Sequence, residues 1–193
     1  GAIQAKKSKQ ITIAIVGKYF ATGEYQLRDS YAALMDAIDH ASWAKGVETT
    51  VRWIQAEKLE KGNLDDLKDA DGIIVPIGWG ERGAEGMIAA AAYGREQKIP
   101  YLGLCYGMQL AVISFARDVL GWKDANTTEN APDTKHPVIH LMPSQQEHIE
   151  RRAYGGTMRL GSWEAIIKPN TIAWKAYEDK NEFIDKKKGL TSE

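Results

Sequence analysis

The chain has 193 residues, 44% of them hydrophobic, with 25 Lys and Arg against 26 Asp and Glu for a formal net charge of −1. That length supports one well-buried domain rather than two, and the balanced charge excludes the broad basic field that a nucleic-acid or anionic-membrane surface needs. The single cysteine excludes an intramolecular disulfide framework and any multi-thiolate metal site, so the expectation is small-molecule chemistry in a reducing compartment, the cytoplasm, with no metal.

The opening Gly1-Ala2-Ile3-Gln4-Ala5-Lys6-Lys7-Ser8-Lys9-Gln10 lacks the apolar core of a signal peptide and is taken as a remnant or linker ahead of the domain. No apolar stretch approaches the ~20 residues of a membrane-spanning helix. Ile11–Val16 is β-branched and closed by Gly17, which predicts a strand. Leu27, Tyr31, Leu34 and Ile38 then fall at helical spacing, predicting a helix over Tyr25–Ser42. Glu48–Ile54 and Gly72–Pro76 are the next strands, the latter nearly all apolar, as a strand buried on both faces should be. A helix over about Glu85–Gln97, a strand over Tyr101–Leu104 and a helix over Met108–Val119 complete a strand–helix alternation. The fold class is α/β, a doubly wound, mostly parallel sheet flanked by helices.

Beyond Asn126 the pattern loosens. Asn130-Ala131-Pro132-Asp133 is turn chemistry, His136–Met142 fits a short strand, and Ser144–Arg152 is polar enough for a mobile loop. There is no internal repeat, and no Walker-type phosphate loop.

The densest chemistry lies at Gly103-Leu104-Cys105-Tyr106-Gly107-Met108-Gln109. A strand that turns abruptly into a helix throws one side chain clear of the backbone, and flanking glycines are required where a Cβ would clash. A cysteine so placed sits at a helix N-terminus, whose amides and dipole favour the thiolate. Cys105 is therefore the candidate nucleophile rather than a small buried hydrophobe. In a doubly wound sheet, ligands gather beyond the carboxyl ends of the strands, which puts Gly17-Lys18, Pro76–Gly83 and Cys105 on one rim.

That elbow resembles the Gly-x-Cys-Leu-Gly-Met-Gln elbow of class I glutamine amidotransferases, and Val75–Gly83 with Glu85-Gly86 resembles their Pro-Gly-Gly-Phe-Gly-x-Arg-Gly-x-Glu-Gly loop. Asp124-Ala125-Asn126-Thr127-Thr128-Glu129 and Gly155-Gly156-Thr157-Met158-Arg159-Leu160-Gly161 narrow the resemblance to the glutaminase domains of CTP synthases, over about Ile11–Tyr177. The resemblance implies a flavodoxin-like domain over residues 11–193. It implies that Cys105 attacks the carboxamide of L-glutamine to form a thioester, and that the released ammonia aminates UTP to CTP in a synthetase domain. Backbone N–H groups of Tyr106 and of the Ile77-Gly78 segment would form the oxyanion hole, each donor being worth roughly 3 kcal/mol of barrier. Gly78, Trp79, Gln109 and Glu129 would bind glutamine, with Glu129 accepting from its ammonium group. Arg82 would lie near a GTP effector site, Arg159 would be structural, and Lys18 would either face the rim or be a solvated strand end. No cofactor is implied for this domain. ATP, Mg and the GTP effector belong to the full enzyme, whose synthetase domain is the expected partner and the route to any oligomer.

Two departures stand out. Thiol chemistry of this kind needs a histidine oriented by a carboxylate, because an unperturbed thiol of pKa about 8.5 is little ionised at neutral pH. The family supplies both from a His-Pro-Glu that this sequence lacks. Of His40, His136, His140 and His148, only His148-Ile149-Glu150 has His-x-Glu spacing, and its polar surroundings suit a solvated loop. His40 falls in the first helix, while His136 and His140 flank a predicted strand. Glu182–Leu190 resembles the helix after an Arg-His-Arg-His-Arg-Tyr-Glu segment, so the expectation is a domain missing a mobile loop near 181/182 and its C-terminal end. The second departure is Ile77, which stands where the family has a glycine that turns an N–H inward. The same residues also fit a catalytically silent glutamine-binding or regulatory relative, or another cysteine hydrolase acting on γ-glutamyl or peptide bonds.

Overall fold

The computed structural model describes residues 9–18, 21–22, 25–26, 31–142, 166–178, 184–185 and 189–190. The chain divides into two units, Gly1–Leu141 and Met142–Glu193. In the first, β1 (Lys9–Gly17) is followed by the short strands β2 (Ala21–Thr22) and β3 (Tyr25–Gln26), then α1 (Ala32–Lys45), β4 (Val47–Gln55), α2 (Ala56–Leu59) and a 3-10 turn at Asp65–Leu67. β5 (Gly72–Val75), α3 (Ala84–Glu96), β6 (Tyr101–Gly103), α4 (Tyr106–Asp118), β7 (Asn126–Thr127) and β8 (Pro137–Ile139) complete it. The second unit contains α5 (Ile172–Glu178) and the antiparallel pair β9 (Ile184–Asp185) and β10 (Gly189–Leu190).

The main sheet has the order β4-β1-β5-β6, and every pairing in it is parallel. β1 runs against β4 in unbroken register from Lys9↔Val47 to Gly17↔Gln55 and pairs with β5 on its other side. Successive side chains of a strand point to opposite faces, and the core follows that rule. Ala14, Val16, Ile54, Ile73 and Val75 pack with Met87 and Ala90 of α3 and Leu110 and Ile113 of α4. Ile15 and Ile74 pack on the other face with Tyr31 and with Ile38 of α1. Helices therefore cover both faces, and the doubly wound α/β architecture is realised.

The helix expected over Tyr25–Ser42 is shorter at its start and longer at its end. Tyr25 and Gln26 pair with Thr22 and Ala21 as a short antiparallel ladder. At the other end, Gly46 adopts a left-handed φ of 63° and its N–H caps the carbonyls of Ser42 and Trp43, so the helix runs to Lys45. Helix α2 was not anticipated, because four residues are too few for a period to show. It nevertheless sets the spacing of α3: a Cβ at Gly86 would lie 1.8 Å from the Ala56 carbonyl oxygen. The expected mobile loop over Ser144–Arg152, the Gly155–Gly161 motif with Arg159, the His148-Ile149-Glu150 triplet and the 181/182 join lie outside the described residues.

Candidate active site

The elbow is built by close backbone approach. Cys105 stands between β6 and α4 at φ 55° and ψ −106°, outside the comfortable regions for a side-chain-bearing residue, and it is exposed. Its glycine neighbours sit where main chain leaves no room for a side chain. A Cβ on Gly103 would lie 2.6 Å from the Gly107 carbonyl carbon, and one on Gly107 would lie 2.0 Å from the Val75 carbonyl oxygen. The Leu104 N–H donates to that same Val75 carbonyl at 2.9 Å, which ties the elbow to β5. The carbonyl of Cys105 accepts from Met108 and Gln109 at 3.1 and 3.2 Å, starting α4. The Tyr101 hydroxyl donates to the Gly107 carbonyl at 2.8 Å, and its burial pushes its pKa above the ordinary phenol value.

The neighbouring loop, after β5, is held by side chains. Gly78 is buried, Ile77 and Trp79 are exposed, and Gly80 and Gly83 take left-handed φ values of 76° and 74°. Ile77 keeps a negative φ, so this loop conformation does not itself require glycine there. The Ile77 carbonyl accepts from the Tyr31 hydroxyl at 3.4 Å. Lys18, at 5% exposure, donates through Nζ to the carbonyls of Trp79 at 2.6 Å and Gly80 at 2.7 Å. The solvated-strand-end alternative for Lys18 is thereby excluded. Burial lowers its pKa, Arg82 lowers it further, and Glu129, Glu57 and Glu60 oppose the shift.

Sequence reasoning gave Tyr106 a backbone role only, and its side chain was missed. Its ring is almost wholly buried, with the Lys18 ammonium 4.8 Å from the ring centre. Its hydroxyl donates to the Gly80 carbonyl at 2.7 Å and accepts from Asn130 Nδ2 at 2.8 Å. Glu129 comes to the same place, its Oε1 accepting from the Gly80 N–H at 2.8 Å. Gln109 lies half-buried in the first turns of α4. Arg82 is ion-paired with Glu57 and donates to the Lys18 carbonyl at 3.3 Å. Lys18, Trp79, Gly80, Tyr106, Glu129 and Asn130 thus form one network beside Cys105. A lysine directly after a strand buried on both faces was the available signal for it.

Among the described residues no histidine is hydrogen-bonded to Cys105. His136 stacks on Trp122, with ring centres 5.0 Å apart, and pairs through Nδ1 with Asp124 Oδ1 at 2.6 Å. His40 lies against Trp43 on α1. The described residues also contain no cluster of three His, Cys, Asp or Glu suited to a metal, and no helix long and apolar enough to cross a membrane.

Residues 26–184 match the family model described as Glutamine amidotransferase class-I. The CTP synthase of Thermococcus gammatolerans is 48% identical over 169 residues, which is 88% of this chain and 30% of that protein. That of Thermus thermophilus is 47% identical over 179 residues, 92% of this chain and 31% of its own length. The chain therefore spans under a third of the curated relatives it matches. The solved glutaminase domain of Trypanosoma brucei CTPS with bound acivicin superposes with a TM-score of 0.71 at 35% identity, covering 86% of this chain and 62% of that one. The elbow, the loop beside it and these matches agree: the chain belongs to the class-I glutamine amidotransferases and is the counterpart of the glutaminase domain of CTP synthases.

Proposed function

We propose that this domain hydrolyses L-glutamine, with Cys105 as nucleophile, and passes the ammonia to a synthetase domain that aminates UTP to CTP. The observation that carries the proposal is the exposed Cys105 in a strained backbone, between two glycines whose Cβ positions are already occupied by main chain. Such a turn costs stability and serves to present one atom.

The thiolate of Cys105 adds to the carboxamide carbon. The nitrogen then departs as ammonia after taking a proton, and water cleaves the resulting thioester. Backbone N–H groups of Tyr106 and of the Ile77-Gly78 segment stabilise the oxyanion. Gln109 and Glu129 bind the amino-acid end of glutamine. Glu129 is anchored through Oε1 by Gly80 and turns its negative charge to the ammonium group. Gly78 and Trp79 wall the pocket. The base for Cys105 comes from outside the described residues. Arg82, exposed and exchangeable from Glu57, is the candidate contact for a GTP effector. ATP and Mg would serve the synthetase part of the full enzyme, and no residue described here is assigned to them.

Ile77, standing where the family has a glycine, motivates one second reading, a silent domain that binds glutamine without hydrolysing it. The two separate on treating the full chain with acivicin, the ligand of the trypanosomal relative, or with diazo-oxo-norleucine. A single adduct mapped to Cys105, with ammonia released from glutamine by untreated protein, supports the glutaminase. Glutamine binding by calorimetry with neither adduct nor ammonia supports the silent domain.

A further inference from the structure

We infer that Lys18 and the Tyr106 side chain are positioning residues that clamp the Trp79–Gly80 peptide and so fix the loop over residues 77–80 against the nucleophile. The kinetic part of this inference rests on the glutaminase reading.

A peptide unit is planar, so its C=O and N–H turn together. In the unit joining Trp79 to Gly80, the C=O accepts from Lys18 Nζ at 2.6 Å and the N–H donates to Glu129 Oε1 at 2.8 Å. Both polar edges of one plane are held, and rotating it would break both bonds. The next plane is held at the Gly80 carbonyl, which accepts from Lys18 Nζ and from the Tyr106 hydroxyl, each at 2.7 Å. Gly80 itself offers no steric hold: its φ is 76°, and a Cβ there would meet nothing within 4 Å. A glycine with open space at its Cβ position is the natural pivot of a loop, so the polar bonds are what hold its orientation.

Core packing does not account for a lysine at this position. Ala14, Ile15 and Val16, just ahead of it on β1, are fully buried and apolar, whereas Lys18 brings a charge to 5% exposure and meets two neutral carbonyls and a tyrosine face. Holding a charge there costs desolvation that an apolar side chain would avoid. Tyr106 immediately follows the nucleophile, where the family elbow has leucine. Leucine has no hydroxyl, so in this chain the residue beside Cys105 gains a direct bond to the neighbouring loop. Asn130 Nδ2 orients that hydroxyl by donating to it, leaving its proton for Gly80.

The test compares wild type, Tyr106→Phe and Lys18→Met in the full chain, by hydrogen exchange of the peptide containing Gly80 and by steady-state ammonia release. Removal of either clamp should speed exchange at Gly80 while β1 and β5 keep their protection. It should also lower kcat about tenfold or more, with KM for glutamine changed less than about twofold, because a displaced oxyanion loop harms the transition state more than binding. Exchange at Gly80 that stays at the wild-type rate in both variants overturns the clamp. Faster exchange with unchanged kcat overturns the positioning role. If Lys18→Met fails to fold, Tyr106→Phe, which loses one hydroxyl, decides alone. A wild-type chain that releases no ammonia sinks the glutaminase reading instead, and the exchange rates still decide whether the clamp holds the loop.

Discussion

The elbow at residues 103–107 and the loop at residues 76–83 follow neighbouring strands, β6 and β5, and both are built around glycine. In the elbow, glycine is needed because main chain already occupies the space a Cβ would take. In the loop, the Cβ position of Gly80 faces open space, and side chains from the residue after β1, from α4 and from the segment after β7 hold it. One is fixed by steric exclusion within contiguous chain, the other by polar bonds gathered from distant sequence. Steric exclusion tolerates changes of pH and no added atoms. A polar clamp tolerates an added methyl and depends on protonation.

The contrast is sharpest for glycine to alanine changes. Gly107→Ala should cost about 3 kcal/mol or more, or prevent folding, because its methyl would overlap the Val75 carbonyl oxygen. Gly80→Ala should cost only about 1 kcal/mol, the penalty of a positive φ. Urea unfolding of the two variants measures both, and equal losses would break the comparison. Next in size is the strain at Cys105. Cys105→Gly should be more stable than Cys105→Ala by about 1 kcal/mol, since glycine relaxes the 55° φ and alanine does not, while both variants lose ammonia release.

Lys18 brings the pH dependence. Its pKa in the native state lies below the ordinary 10.5, mainly through burial, so the native protein releases this proton before the unfolded chain does. The unfolded state then binds more protons, and stability attributable to Lys18 rises as pH climbs from its native pKa towards 10.5. Thermal melts of wild type and Lys18→Met across that range should show wild type gaining on the variant. A constant difference would mean that the ammonium is not desolvated. The smallest effect is expected at Asp124, which precedes the segment carrying Glu129 and Asn130. The hydrogen bond from His136 holds its carboxyl below the ordinary 3.8, so its contribution is present above 3.8 and lost as pH falls through the lower native value. Asp124→Asn should therefore be slightly less stable than wild type near neutrality, and the gap should close in acid.

Much of the sheet was legible because β-branched runs such as Ile11–Val16 and Gly72–Val75 have few other stable uses. The elbow was legible because two glycines around a cysteine imply a backbone constraint, which the positive φ of Cys105 displays. The clamp was not. Lys18 and Gly80 are far apart in sequence, and a lysine directly after a buried strand hints at an inward-turned charge without naming the carbonyls it meets. The Tyr106 hydroxyl was hidden for a related reason: position after a nucleophile draws attention to the N–H, and the side chain's partner, Gly80, lies on another loop. The start of α1 was misplaced because apolar spacing continued through Tyr25, which instead pairs in β3.

Cys105 is also the only thiol in these 193 residues, and it is exposed. Peroxide would convert an exposed thiolate there to a sulfenic acid, and these 193 residues offer no second cysteine to close a disulfide with it. A small thiol from solution that reduced it would form a mixed disulfide at this same candidate nucleophile before being displaced in turn. The state of the surrounding thiol pool would thus act on the one sulfur that the fold is strained to display.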